Sequence, residues 1–241
     1  MKIKQRAIGT LANTMRRYAE ANLSFGALKL IDLDEAIDNL DRAFESKMEA
    51  FHSLYDVDKD DFDYFAHPDT ALLILLRNAL HHRDHELFLS WNAEMNQTGG
   101  PQRFLGVEFL LASHYVSDAP RTARQFYKAQ DFLMRVDPAF KSPALERKMS
   151  DGNRRKMLQH FCDGLSFSEI LSKAEREKYP LKQIYINVIP IFISATCRVF
   201  RSLKQRGVAF EGFDASVYER PFTEELTVDL SKMKYEKIRI T

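Results

Sequence analysis

Between Asp34 and Tyr55 the apolar residues Ile37, Leu40, Phe44, Met48, Phe51 and Tyr55 recur at intervals of three and four. That spacing gathers them on one stripe of an α-helix, whereas a strand would scatter them over both faces. Asp34 and Glu35 stand at the start, where the helix dipole favours acids. A long one-sided helix needs partners to cover its stripe, and the flanking sequence supplies candidates. Ile3 to about Leu23 reads as a second helix. "HPDTALLILLRNALHH" reads as a third, with Pro68 suited to the first turn and an aliphatic run dense enough to be buried on much of its circumference.

After "TGGP" at 98–101, a break, the patterning predicts helices over Phe104 to Tyr115 and Arg121 to Val136, separated by "SDAP" with Pro120 at a helix start. "PALERKMSDGNRRKMLQHFCDG", "SFSEILSKAEREKY" and Pro180 to about Arg206 complete a mostly helical reading. Ser166 and Glu169 have capping-box spacing, and Pro190 should kink or break the last helix. In the tail, Leu226, Val228 and Leu230 alternate, as do Ile238 and Ile240, which predicts short strands. No internal repeat or low-complexity segment interrupts the chain. The fold class expected is therefore all-α with a short β-like tail. A chain of 241 residues with 45% hydrophobic side chains can bury a sizeable core, as one large domain or two small ones.

A net charge of +1 gives no global pull toward nucleic acid or membrane, so an anionic partner must be held by a local patch. Cys162 and Cys197 form neither a CxxC pair nor a disulfide framework, which favours a reducing compartment. The first residues lack a continuous apolar signal-peptide core. The most apolar stretch, Ile184 to Cys197, has 14 residues and includes Asn187 and Pro190. It falls short of the roughly 20 residues a membrane span needs. A cytoplasmic protein without membrane contact is expected.

"LLRNALHHRDHELF", residues 75–88, carries the chemistry. At about 100° per residue, Leu73, Leu76 and Leu80 share a core-facing stripe. Asn78, His81, His82 and His85 fall on the other side, with Arg77 at the boundary. Guanidinium is permanently charged and binds phosphate oxygens bidentately, while imidazole exchanges protons near neutrality. Together these groups suit phosphodiester cleavage in RNA, where the 2′-hydroxyl is the nucleophile and no metal is required. The competing reading is a solvated helix face, the usual fate of such residues.

Arg77, Asn78, Leu80 and His82 in "RNALHH" resemble the R-N-x-L-x-H form of the R-x4-6-H signature of HEPN-domain proteins. The match covers six of the 241 residues. The resemblance implies an all-helical up-and-down bundle, here over 1–140, with additional helices and the tail over 141–241. It implies frequent homodimerisation and metal-independent RNA cleavage, with no cofactor, at a site assembled from both protomers. A toxin–antitoxin or phage-defence setting, with an inhibitory partner protein, is implied too. Carried over, Arg77 would stabilise the scissile phosphate, Asn78 would orient it and His82 would transfer the proton. His81 is a secondary candidate, because its spacing from Arg77 lies outside the signature. Where HEPN toxins paired with a nucleotidyltransferase antitoxin often carry a modified tyrosine, this chain has Asp84, which speaks against that class of partner. Some HEPN domains are inactive, so the alternative is a noncatalytic helical module that binds nucleotide, RNA or a partner protein.

Other signals are weaker. "HRD" at 82–84 resembles a kinase catalytic loop, yet Leu89 stands where the metal-binding Asn belongs and no Gly-rich loop or DFG occurs. His81 and His85 have helical ligand spacing but lack the Glu of H-E-x-x-H and any placed third ligand, so no zinc site is expected. Arg16 with Arg17, Arg121 with Arg124, and "RRK" at 154–156 are candidates for an RNA path or a solvated surface. Trp91 and the phenylalanines read as core.

Overall fold

The computed structural model describes residues 2–81, 88–97, 99–117, 123–140 and 149–241. The chain begins with a helical hairpin, α1 (Lys2–Leu28) and α2 (Leu33–Asp58). Asp32 caps α2 by accepting from the Glu35 amide. Lys4 at the start of α1 reaches Asp58 at the end of α2, Nζ to Oδ1 at 2.6 Å, and also pairs with Asp61, so the two helices run antiparallel. The three-four stripe of α2 is buried as its spacing predicts, including Ile37, Leu40, Phe44, Met48 and Phe51. After a short 3-10 turn at Tyr64–Ala66 comes α3 (Pro68–His81), with Pro68 in its first turn and residues 69–76 all buried.

The next elements are α4 (Trp91–Asn96), a 3-10 turn at Pro101–Phe104, β1 (Glu108–Val116), β2 (Phe126–Lys128) and α5 (Ala129–Val136). Then follow α6 (Asp151–Gly164), α7 (Phe167–Glu177), β3 (Ile184–Asn187), α8 (Ile189–Gln205) and α9 (Phe213–Arg220). A π turn at Pro221–Glu225 leads into β4 (Val228–Arg239). The strands form one sheet in the order β2-β3-β1-β4. β1 and β3 are parallel, with Leu111 opposite Tyr185, while β4 runs antiparallel to β1 and β2 antiparallel to β3.

The all-α bundle expected from the sequence is therefore corrected: the fold is mostly helical around a four-stranded mixed sheet. The reason lies in burial. β1 is covered on both faces, so Phe109 to Ala112 form a continuous apolar run instead of an alternating one. Periodicity alone cannot separate such a run from a buried helix. The same holds for Ile184–Asn187, where every residue is buried. The predicted helix over Pro180 to Arg206 is divided into a 3-10 turn, β3 and α8; the break expected at Pro190 falls just before it, and the proline sits in the first turn of α8. Arg121 to Val136 likewise yields β2 before α5. The alternating tail does form a strand, longer than expected, with Leu226 and Ile240 just outside its ends.

Ser166 makes no capping bond to α7; its backbone is left-handed and its hydroxyl donates to the Leu230 carbonyl. One face of the sheet, with Leu110, Ala112, Ile184 and Ile186, joins the helices in the main core. The other face, with Phe109, Leu111 and Tyr185, builds a smaller cluster with Met95, Phe126 and Trp91. Two buried aspartates fasten the helical side. Asp58 takes both η nitrogens of Arg206, each at 2.7 Å, and Asp69 takes the Ser194 hydroxyl at 2.7 Å and the Nε of Arg198.

Candidate functional site

The last two turns of α3 rise against the middle of α2. Leu73 and Leu76 are fully buried and Leu80 is half-buried, so the predicted leucine stripe faces the core and turns Arg77, Asn78 and His81 outward. Arg77 keeps only 18% of its side chain exposed. Its Nε and Nη2 both donate to Glu49 Oε2 on α2, at 3.0 and 2.7 Å, and its Nη1 donates to Asn78 Oδ1 at 3.3 Å. The second Glu49 oxygen lies 3.2 Å from His81 Nδ1. Three of the four named candidates, Arg77, Asn78 and His81, are thus brought together. His82, like His85 and Asp84, lies outside the described residues.

Two members of this cluster were not singled out from the sequence. Glu49 and His52 are three apart on α2, one turn along the face away from its apolar stripe, and that spacing was readable. What could not be read is that α3 would bring Arg77 to the same place. His52 Nδ1 pairs with Asp56 at 3.2 Å. Its pKa lies below the ordinary 6.5, because burial disfavours the charged ring and the Arg77 cation adds to this. A neutral imidazole beside a fixed guanidinium is chemically suited to accept a proton near an anion.

A second polar concavity lies at the far end of the parallel strands. A cavity of about 910 Å³ is lined by Ser113 and His114 of β1, Asn187 of β3, Trp91 and Asn92 of α4, and Gln125. Its wall is a buried hydrogen-bond chain running from Ser90 through Asp41, Gln125 and Asn187 to Ser113. Asn187 Oδ1 accepts from the Gln125 and Ile189 amides, and Asn187 Nδ2 donates to Ser113 Oγ. Gln125 Nε2 donates to Asp41 Oδ1 at 2.8 Å, and the Ser90 hydroxyl donates to Asp41 Oδ2 at 2.6 Å. Burial raises the Asp41 pKa, partly opposed by these two bonds. His114, also buried, has its pKa lowered by burial; its Nε2 sits 3.0 Å from the Leu165 carbonyl.

The basic clusters separate. Arg154 is buried and donates to the carbonyls of Met134, Asp137 and Phe140, so it ties α6 to the turn after α5 and does not line an RNA path. Arg16 is engaged by Glu20 and Asp214. Arg124 pairs with Glu236 at 2.8 Å, and Arg121 lies outside the described residues. Trp91 packs edge-on against Phe109 and Tyr185. Among the described residues, no group of three or more His, Cys, Asp or Glu side chains could hold a metal ion, and no helix is long and apolar enough to cross a membrane.

Comparison with protein-family models, characterised proteins and solved structures returns no match to this chain.

Proposed function

We propose that this chain is a metal-independent endoribonuclease whose reaction centre is the α2–α3 cluster extended by His82. The observation that carries the reading is the fixed guanidinium of Arg77, held by Glu49 at the edge of a group of imidazoles. A guanidinium has five N–H donors, and Glu49 and Asn78 engage three of them, which leaves two for the oxygens of a phosphate. Glu49 also restricts the side chain before substrate arrives, so less rotamer freedom remains to be lost on binding.

In this reading an imidazole accepts the proton of the RNA 2′-hydroxyl as that oxygen attacks the adjacent phosphorus. Arg77 stabilises the crowded anionic phosphorane, and Asn78 orients its oxygens. A second imidazole protonates the departing 5′-oxygen, so the products are a 2′,3′-cyclic phosphate and a 5′-hydroxyl. His82 takes the proton-transfer role that the HEPN-like motif implies, and His82 of a second copy in a homodimer supplies the other imidazole. His52 and His81 surround the same guanidinium and tune its surroundings.

The test is incubation of purified protein with mixed RNA in EDTA. Accumulation of fragments ending in cyclic phosphate, lost on His82→Ala, supports the assignment. Intact RNA with a folded, RNA-retaining protein would replace it with a noncatalytic binding module.

A further inference from the structure

We propose that the cavity at the end of the parallel strand pair binds a nucleotide, with its base beside Trp91 and the carboxamides and its phosphate on Lys234 and Arg124. The inference is independent of the RNA-cleavage reading. Along α2, Asp41 behind the cavity and Glu49 at the Arg77 cluster are eight residues apart, roughly 12 Å of helical rise.

The cleft, of about 910 Å³ and partly open to solvent, falls within the range of roughly 300–1,000 Å³ typical of small-molecule sites. Its position is also suggestive of binding. It runs along the sheet face from Leu111 and Ile238 to Val116 and Asn187, so one end reaches the carboxyl ends of the parallel strands β1 and β3, where ligands collect in parallel sheets.

The lining selects the ligand class. Trp91 is held rigid by near-perpendicular contacts with Phe109, at 5.1 Å, and Tyr185, at 4.8 Å, so it offers a fixed aromatic wall. Asn187 is buried, with its Oδ1 engaged by two backbone amides and one Nδ2 hydrogen by Ser113 Oγ, which leaves its second Nδ2 hydrogen for a ligand; the Gln125 carboxamide is engaged by Tyr18, Tyr127 and Asp41 and holds the wall. The carboxamides of Asn92 and Asn22 also line the cavity and make no side-chain hydrogen bond among the described residues. Planar amides reading in-plane donors and acceptors beside an aromatic wall are how single bases are recognised.

Charge sits at one side only. Ser113 pairs with Lys234 and Leu111 with Glu236 across β1 and β4, so both charged side chains stand on the cavity's face of the sheet. Lys234 is exposed, lies 4.3 Å from the Tyr115 ring centroid and has no carboxylate partner among the described residues. Arg124 already pairs with Glu236. Lys234 is therefore the primary phosphate contact and Arg124 the second. A neutral sugar would leave Lys234 unused, and an apolar ligand would strand the buried polar groups.

Trp91 is the chain's only tryptophan, so its emission reports directly on the cavity. The full chain is titrated with AMP, GMP, CMP and UMP, with ribose 5-phosphate, and with a 2′-O-methyl RNA tetramer that cannot be cleaved. At least one nucleotide form should give a saturable change in Trp91 emission that ribose 5-phosphate does not. Asn92→Ala and Lys234→Ala should each weaken it by about tenfold. Binding of mononucleotides identifies a free nucleotide as ligand; binding of the tetramer alone identifies one unit of a strand. The proposal is overturned by no saturable change up to about 5 mM, by an equal response to ribose 5-phosphate, or by indifference to both substitutions. Because the readout is binding and not cleavage, its failure and that of the ribonuclease reading are separable.

Discussion

Arg77 and Glu49 form a two-donor, one-acceptor contact: Nε and Nη2 of the arginine converge on a single oxygen, Oε2, at 3.0 and 2.7 Å. The other oxygen is left for His81. Glu49 is thereby a positioning residue that fixes a cation and an imidazole at once. Glu49→Gln keeps the shape but presents a neutral carbonyl where two charged donors converged. In the ribonuclease reading this variant should lose about tenfold in kcat/KM toward RNA, with helical circular dichroism unchanged. Wild-type kcat/KM in the folded variant would remove Glu49 from the site.

The neighbouring histidines carry unequal expectations. Arg77→Ala and His82→Ala should each reduce RNA cleavage by at least about a hundredfold, the scale of a lost electrostatic or acid–base group, and His81→Ala should cost less. His81 is the last residue of α3 and 55% exposed, held through Glu49. Were His81→Ala the most damaging of the three while all remained folded, the motif would be misaligned by one residue.

His52 offers a check that needs no substrate. Burial lowers its pKa most and Arg77 lowers it further, whereas Asp56 and Glu49 raise it. Its imidazole resonances should therefore titrate below 6.5 in the wild type. Arg77→Ala removes a cause of depression, so the midpoint should move up toward 6.5. A midpoint that stays put or falls would mean that Arg77 does not sit close enough to act on this ring.

If His82 from two chains shares one reaction centre, dimers containing one wild-type and one His82→Ala chain should be strongly impaired, not half active, because one imidazole cannot be base and acid in the same turnover. Specific activity should also fall on dilution as dimers dissociate. Mixed dimers with half the wild-type rate would show that each chain works alone.

What could be read from the sequence divides by burial. The stripe of α2 was legible because that helix has one wet side; α3 is buried over 69–76, and only its last turn, with Arg77, Asn78 and His81, reaches the surface. β1 and β3 were not legible because both faces are covered, which erases the alternation that marks a strand. Arg154 shows the same limit for charge: within "RRK" it looks like surface, yet its guanidinium is buried and ties three backbone carbonyls together. The cavity was hidden for a different reason. Its residues come from seven separate stretches of chain, none with a motif of its own, and they meet only once the sheet forms in the order β2-β3-β1-β4 with α1, α2 and α4 beside it.

Lys47 makes a prediction about stability. It belongs to α2 and is 2% exposed, and its ammonium nitrogen lies 3.7 Å from the ring centroid of Tyr18, 4.2 Å from Phe192 and 4.9 Å from Phe44. No carboxylate among the described residues pairs with it. Aromatic faces favour a cation, but they replace only part of its hydration, and burial holds the Lys47 pKa well below the ordinary 10.5. Between the depressed folded value and 10.5 the unfolded chain carries a proton here that the native chain lacks. Stability in that window therefore rises with pH, by up to about 1.4 kcal/mol per pH unit from this residue. Lys47→Met fills similar volume without a titrating group. It should raise stability at neutral pH, and its advantage over the wild type should shrink steadily toward pH 10.5. Urea unfolding of both proteins from about pH 6 to 9 measures the difference, and restricting the range keeps the tyrosine ionisations near pH 10 out of it. A difference that is constant across that range would mean that Lys47 stays protonated in the folded protein and that the three rings suffice to hold the charge.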